Sequence, residues 1–367
     1  MSVIGIVLFA SALCAQTAVP TPHDSVRPAL RIFLIGDAGG ALPNPVLTAL
    51  TRELKRDSAP GYVLFLGDNV YPRGVPNASN RNRGDAEVRL RAQITAVSTA
   101  GAHAIFMPGN HDWGAIGAKD NAGLLRQADV INSANDNRIE MRPYSGCPGP
   151  DVIDVGPMAR LVVLDTEWWL RRPDSRGVDS RCVSSESAVL DSLSKAIGQS
   201  PIARVIVLGH HPLQSVGPHG GQFSWRTHLF PISWQPASWI PLPVVGSIYV
   251  AVRKRFKKTQ DLDSRRYTAF RSSIDSVFRL HRPLIYAAGH EHNLQVFRGG
   301  SAQLMLVSGG GGEPPRAVGD GNNLLFAATA NGFMRLDLFD DQRARLTVLS
   351  VNDRAQTTER FSMQVGR

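Results

Sequence analysis

Leu30-Arg-Ile-Phe-Leu-Ile-Gly-Asp-Ala-Gly-Gly40 is an apolar run that stops abruptly at a glycine, a carboxylate and two more glycines. Such a run reads as a strand covered on both faces, the habit of parallel sheets flanked by helices. The chain repeats the device. Tyr62-Val-Leu-Phe-Leu stops at Gly67-Asp-Asn-Val-Tyr71, and Ala102-His-Ala-Ile-Phe-Met at Gly109-Asn-His-Asp112. Ala203-Arg-Val-Ile-Val-Leu stops at Gly209-His-His-Pro212, and Pro283-Leu-Ile-Tyr-Ala runs into Ala287-Ala-Gly-His-Glu-His-Asn293. Between the first two runs, Val46, Leu47, Leu50 and Leu54 recur at helical spacing over 45–56. Further helices are predicted over about 85–100, near 120–131 and near 185–197. A strand, polar loop, helix, strand rhythm predicts an α/β sheet with its chemistry at the strands' C-terminal ends.

Leu161-Val-Val-Leu-Asp-Thr reads as another buried strand, with Asp165 ending it. Strands then crowd toward the C-terminus, over about 293–298, 303–308, 332–339 and 343–350, so a second sheet closes the fold in a meander. The expected organisation is one domain over 28–353, interrupted by an insertion at about 222–262 and followed by a tail over 354–367.

The chain has 367 residues, 43% of them apolar, and a formal net charge of +9. The length and apolar content suffice for a large core, and the charge favours anionic partners. A basic repeat interleaved with aromatics is missing, so nucleic-acid binding is not expected. The apolar run 3–13 before Cys14-Ala-Gln has the form of a signal peptide ending within residues 1–18, which predicts export to the periplasm or beyond the cell. Cys147 and Cys182 would then remain, and could pair in an oxidising compartment. The stretch from Trp234 to Lys258 is apolar, carries three prolines and ends in Arg253-Lys-Arg-Phe-Lys-Lys258. It is too short and too broken to span a bilayer. Two readings stay open for it: a peripheral contact with an anionic membrane, or a loop packed on the body with a solvated basic edge.

Asp37, Asp68, Tyr71, Asn110, His210, His290 and His292 all stand at these strand ends. Each alone has an ordinary explanation, since an aspartate after glycine is usually a turn former and Asn110 could cap a helix. Five glycine-preceded polar clusters, each ending a buried strand, are not explained that way. Oxygen, amide and imidazole donors in this proportion suit first-row metals rather than a soft thiolate metal. A carboxylate placed between two cations can bridge them, and Asp68 is central in the order of motifs. At Gly-His-Glu-His a turn is needed to aim both imidazoles inward, and Gly289 is the expected source of that freedom.

With these residues in place the chain resembles the calcineurin-like metallophosphoesterases, and within them the small purple acid phosphatases of the tartrate-resistant type. The resemblance runs over about residues 30–310 through the five motifs quoted. Most metallophosphoesterases carry a histidine two residues after the first aspartate, where this chain has Gly39, and lack a tyrosine three residues after the second, where it has Tyr71. The resemblance implies a four-layer α/β/β/α sandwich with two mixed β-sheets. It implies two metal ions, Fe(III) held by Asp37, Tyr71 and His292, and Fe(II), Zn or Mn held by Asn110, His210 and His290, with Asp68 bridging. The implied reaction is hydrolysis of phosphate monoesters, a metal-bound hydroxide attacking phosphorus in line. Phosphodiesterase or nucleotidase activity on the same scaffold, and a non-catalytic membrane-surface module, are the alternatives. His111 and His219 are the expected catalytic histidines, with Asp112 orienting His111. His111, His211 and Asn110 are expected to meet substrate.

Overall fold

The computed structural model describes residues 27–56, 59–114, 121–143, 146–176, 182, 185–223, 228–230, 240–256 and 258–366. The expected signal segment and Trp234–Trp239 of the expected membrane contact lie outside the described residues. Two mixed seven-stranded sheets face one another. In the first, β1 (Leu30–Ile35), β2 (Gly61–Phe65), β3 (His103–Phe106) and β4 (Ile139–Met141) run parallel. Three C-terminal strands, β12 (Gly332–Leu338), β13 (Ala344–Val351) and β14 (Thr357–Val365), extend it antiparallel beyond β1. In the second, β6 (Ala159–Val163), β7 (Val205–Leu208), β8 (Ile285–Ala288) and β10 (Leu304–Ser308) are parallel. Antiparallel β5 (Asp151–Val155) closes one edge, and β9 (Leu294–Arg298) with β11 (Leu324–Ala328) the other.

The alternation along β1 explains its unbroken apolarity. Ile32 and Leu34 enter the core between the sheets, where they join Leu64, Leu208, Leu306 and Leu336. Phe33 and Ile35 point the other way, toward the helices. Helices α1 (Pro45–Leu54), α2 (Arg83–Ser98) and α3 (Ala122–Asn132) cover the first sheet. The short α4 (Thr166–Leu170), α5 (Glu186–Gly198) and α7 (Arg265–His281) cover the second, with α6 (Pro243–Arg255) in the expected insertion. Asn44 caps α1, its side chain accepting from the N–H of Val46 at 2.9 Å, with Pro45 opening the helix. Asp165 does end its strand as expected, and its carboxylate also caps α4 by accepting from Trp168 N–H at 3.2 Å. A disulfide joins Cys147 to Cys182.

The expected C-terminal tail is instead β14, the edge strand of the first sheet. Phe361 and Met363 pack against the core between the sheets, and Val365 is buried in it. Polar residues alternate with them, a half-buried pattern weaker than the continuous runs that marked the central strands. Helices α6 and α7 and the short edge strands β4, β5 and β11 were not expected from sequence.

Candidate metal centre

The parallel strands of both sheets end along one seam of the sandwich, and backbone hydrogen bonds cross it. Gly36 N–H donates to Ser308 O at 2.7 Å, Gly311 N–H to Gly36 O at 2.9 Å, and His290 N–H to the Asp37 carboxylate at 2.8 Å. Three of the strand-end residues bend the chain by adopting left-handed backbone themselves: Asp37, Asp68 and His290, with φ of 61°, 54° and 70°. Asp and His tolerate that region better than most side chains. The turn at the two histidines is thus made by His290, correcting the expectation for Gly289. What Gly289 supplies is room, because a Cβ there would stand 2.7 Å from Asp37 Oδ2. Gly39 acts the same way. A Cβ on it would fall 2.3–2.5 Å from the Asn69–Val70 peptide, so its bareness lets that loop settle and deliver Tyr71 to Asp37 and Asp68.

Two groups of donors result. In the first, Tyr71 Oη lies 2.8 Å from Asp37 Oδ1, 3.0 Å from Asp68 Oδ2 and 3.2 Å from His292 Nε2. A single hydroxyl proton cannot serve three acceptors at once. In the second, Asn110 Oδ1 lies 3.0 Å from His210 Nε2 and 3.1 Å from His290 Nδ1. The two ring nitrogens are 3.3 Å apart, and Asp68 Oδ1 is 3.5 Å from His210 Nε2. Tautomers follow from the outer partners. His210 Nδ1 donates to Leu66 O at 2.8 Å and His290 Nε2 to Gln260 O at 3.2 Å, so the nitrogens facing each other both present lone pairs. Burial holds the imidazoles of His210, His290 and His292 below the ordinary histidine range, which keeps them neutral donors. Burial, then the neighbouring Asp68, pushes the Asp37 carboxyl well up, a cost that a cation would offset. Converging lone pairs with too few protons between them fit metal ions, and Asp68, with one oxygen toward each group, fits a bridge.

The centre opens into a cleft of about 740 Å³. His111 stands at its edge with Nδ1 2.7 Å from Pro72 O, its ring against Tyr71 and its Nε2 3.9 Å from Asp68 Oδ2. His219 faces it across the cleft, its ring 4.3 Å from that of His290. Arg316 donates to His219 Nε2 at 3.2 Å, and His219 Nδ1 donates to Asp261 at 3.1 Å. Burial raises the Asp261 carboxyl, but hydrogen bonds from Arg253, His219 and Lys258 N–H outweigh that and hold it below the usual carboxylate range. Arg253 therefore belongs to this chain of charges and not to a solvated basic edge.

Two expected site residues are placed elsewhere. His211 is fully buried behind the cleft, its Nδ1 2.8 Å from Thr166 Oγ1 and its Nε2 2.7 Å from Gln260 Oε1, so it does not face substrate. It lies close enough to His210 and His290 to share a cation, yet both its nitrogens are engaged. Asp112 does not touch the His111 ring. Its carboxylate accepts from the N–H groups of Gly109, Asn69 and Val70 at 2.8, 2.9 and 3.1 Å, and from Asn69 Nδ2 at 3.0 Å. It ties the second motif loop to the third. Asp112→Ala is expected to lower stability by more than about 3 kcal/mol by orphaning these buried donors, read as a drop in thermal midpoint. An unchanged midpoint with depressed turnover would return Asp112 to catalysis. Gln260, Asp261, Glu313 and Arg316 escaped the sequence reading because they sit on irregular backbone; the glycine run before Glu313 was the nearest signal.

Two layered sheets thus bring a cluster of potential metal donors together at their shared seam. Residues 30–294 match the calcineurin-like phosphoesterases, and the chain belongs to that family as a metallophosphoesterase. No curated protein sequence matches it. Among solved structures it is similar to GAP50, the anchor in the inner membrane complex of Plasmodium, with 13% identity and TM-score 0.55 over 92% of this chain and 89% of that one. It is similar also to the purple acid phosphatase PPD1 from seeds of yellow lupin, Lupinus luteus, with 16% identity and TM-score 0.55 over 91% of this chain and 53% of that one. Both likenesses are of fold.

Proposed function

We propose that the protein is an exported phosphomonoesterase with a purple-type dinuclear centre. Asp37, Tyr71 and His292 would hold Fe(III), Asn110, His210 and His290 would hold Fe(II), Zn or Mn, and Asp68 would bridge. The observation that carries this reading is the Tyr71 hydroxyl set among Asp37, Asp68 and His292, because a phenolate is a hard anionic donor suited to a trivalent ion. Burial, then Asp37 and Asp68, push the Tyr71 phenol up, so it is neutral until a strong cation displaces its proton. When bound, the two ions would neutralise phosphoryl oxygens and acidify water. The chain's own groups do the rest. Arg316 would receive the anionic phosphate on one side of the cleft, positioned by His219 Nε2, with Asp261 fixing the His219 tautomer. His111, whose Nδ1–H donates to Pro72 O, would in its imidazolium form carry a second proton at Nε2 for the departing alkoxide. The Cys147–Cys182 disulfide supports an oxidising, exported setting.

A second reading, a phosphodiesterase or nucleotidase, draws on the aromatic wall of Phe223, Phe230 and Tyr249, on which a base or second ester group could stack. Comparing kcat/KM for matched mono- and diesters separates the two. The metal reading is tested by the visible spectrum and metal content of protein purified without added metal. Two metals including iron, with a broad tyrosinate band, are expected, and Tyr71→Phe should abolish the band. A colourless wild type holding only Zn or Mn would remove Tyr71 from the ligand set.

A further inference from the structure

Helix α6 is built inside out. Gly246, Val250 and the salt-bridged Arg253 are its inner side, whereas Val244, Val245, Ile248 and Val252 are exposed. At about 100° per residue these four fall within an arc of about 100°. Phe256 continues the stripe just past the helix end. Val244, Ile248 and Phe256 are 71%, 58% and 67% exposed. An ordinary surface helix turns such a stripe toward the core, and one left outside marks a contact. The helix and the residues just after it are one-signed: 240–260 contain no Asp or Glu and five Lys and Arg, of which Arg253 is paired with Asp261. Arg255 and Lys258 are exposed beside the stripe. A second copy of this face would bring like charges together, whereas an anionic surface complements them. No helix among the described residues is long and apolar enough to cross a membrane, so the stripe suits the interface and not a span. The same helix lends Tyr249 and Arg253 to the metal cleft, where Phe223 and Phe230 add an apolar wall.

We propose that α6 seats on an anionic bilayer and that the cleft takes phosphomonoesters presented there, amphiphiles whose apolar part lies along Phe223, Phe230 and Tyr249. Water oxygen joins phosphorus, the phosphorus–oxygen bond to the amphiphile's alcohol breaks, and that alcohol takes up the proton. The substrate half rests on the phosphomonoesterase reading; the docking half stands without it. Cosedimentation with phosphatidylcholine vesicles, with and without phosphatidylserine, tests docking, using the full-length protein and the V244D/I248D variant. Wild type should bind the anionic vesicles, and the variant more than about tenfold more weakly, since two inserted apolar side chains are lost. Both substituted residues point outward, so hydrolysis of soluble p-nitrophenyl phosphate should be unchanged, which also reports on folding. Turnover of phosphatidate in anionic vesicles should fall with binding. Equal vesicle binding by the two proteins, or a wild-type dimer that the substitutions break without any vesicle binding, would overturn the docking. Phosphatidate turnover untouched by the substitutions would overturn delivery from the surface. Vesicle binding without hydrolysis of either ester would sink the phosphatase reading and leave the docking supported.

Discussion

Asp68→Ala is expected to empty both metal positions at once and to cut turnover by about 10³-fold or more. The side chain is 2% exposed and its two oxygens face different halves of the centre. Oδ2 accepts from Tyr71 Oη at 3.0 Å, while Oδ1 accepts from His111 N–H at 2.8 Å and lies 3.5 Å from His210 Nε2. A residue that served one cation only would leave the other in place when removed. Metal analysis after dialysis therefore reads the bridging role directly, and full metal content in the variant would contradict it. Asp68→Asn separates charge from shape. It keeps an acceptor for His111 N–H, so its fold should match wild type while its metal content does not.

His111→Ala is expected to retain both metals and to lower kcat by about 10²–10⁴-fold. The ring is a neighbour of the donor cluster and not a member of it, since its only side-chain hydrogen bond among the described residues is from Nδ1 to Pro72 O. With 37% of its side chain exposed, it stands at the mouth of the cleft, open to an incoming ester. Proton donation predicts that the loss grows with the basicity of the leaving alcohol, small for nitrophenyl phosphate and large for an alkyl phosphate. A loss equal for both would make His111 a phosphate-positioning group. Unchanged turnover would remove it from the mechanism.

Much of this site was legible because each ligand follows a buried strand, and buried strands are the loudest pattern in a sequence. The eight-residue span from Leu30 to Asp37 announces both the sheet and the ligand. His211 shows where such reading stops: its neighbour His210 faces the metal donors, and one residue further the chain has turned the next imidazole toward Thr166. Only a fold can say which of two adjacent histidines looks inward. Asp112 was misread for a related reason, as sequence adjacency to His111 suggested a partnership, whereas its partners besides nearby Gly109 are Asn69 and Val70, more than 40 residues back. The helix over 265–281 could have been found, since Ser264 caps it and Tyr267, Phe270, Ile274, Val277 and Phe278 recur at helical spacing. Helix α6 could not be placed by the same rule, because its apolar stripe does not face the core.

The pairing of β1 with β12 has a bearing on how the protein is made. Leu30 lies opposite Leu338, so β1 gains this neighbour only after the chain between them has been made. At synthesis rates of about 5–20 residues per second the wait is roughly 15–60 s. During that time Ile32, Phe33, Leu34 and Ile35 have one edge unanswered, and Asp37 still lacks His290, which arrives 253 residues later. Until β12 is made, β1 keeps one open apolar edge, a state that invites chaperone shelter.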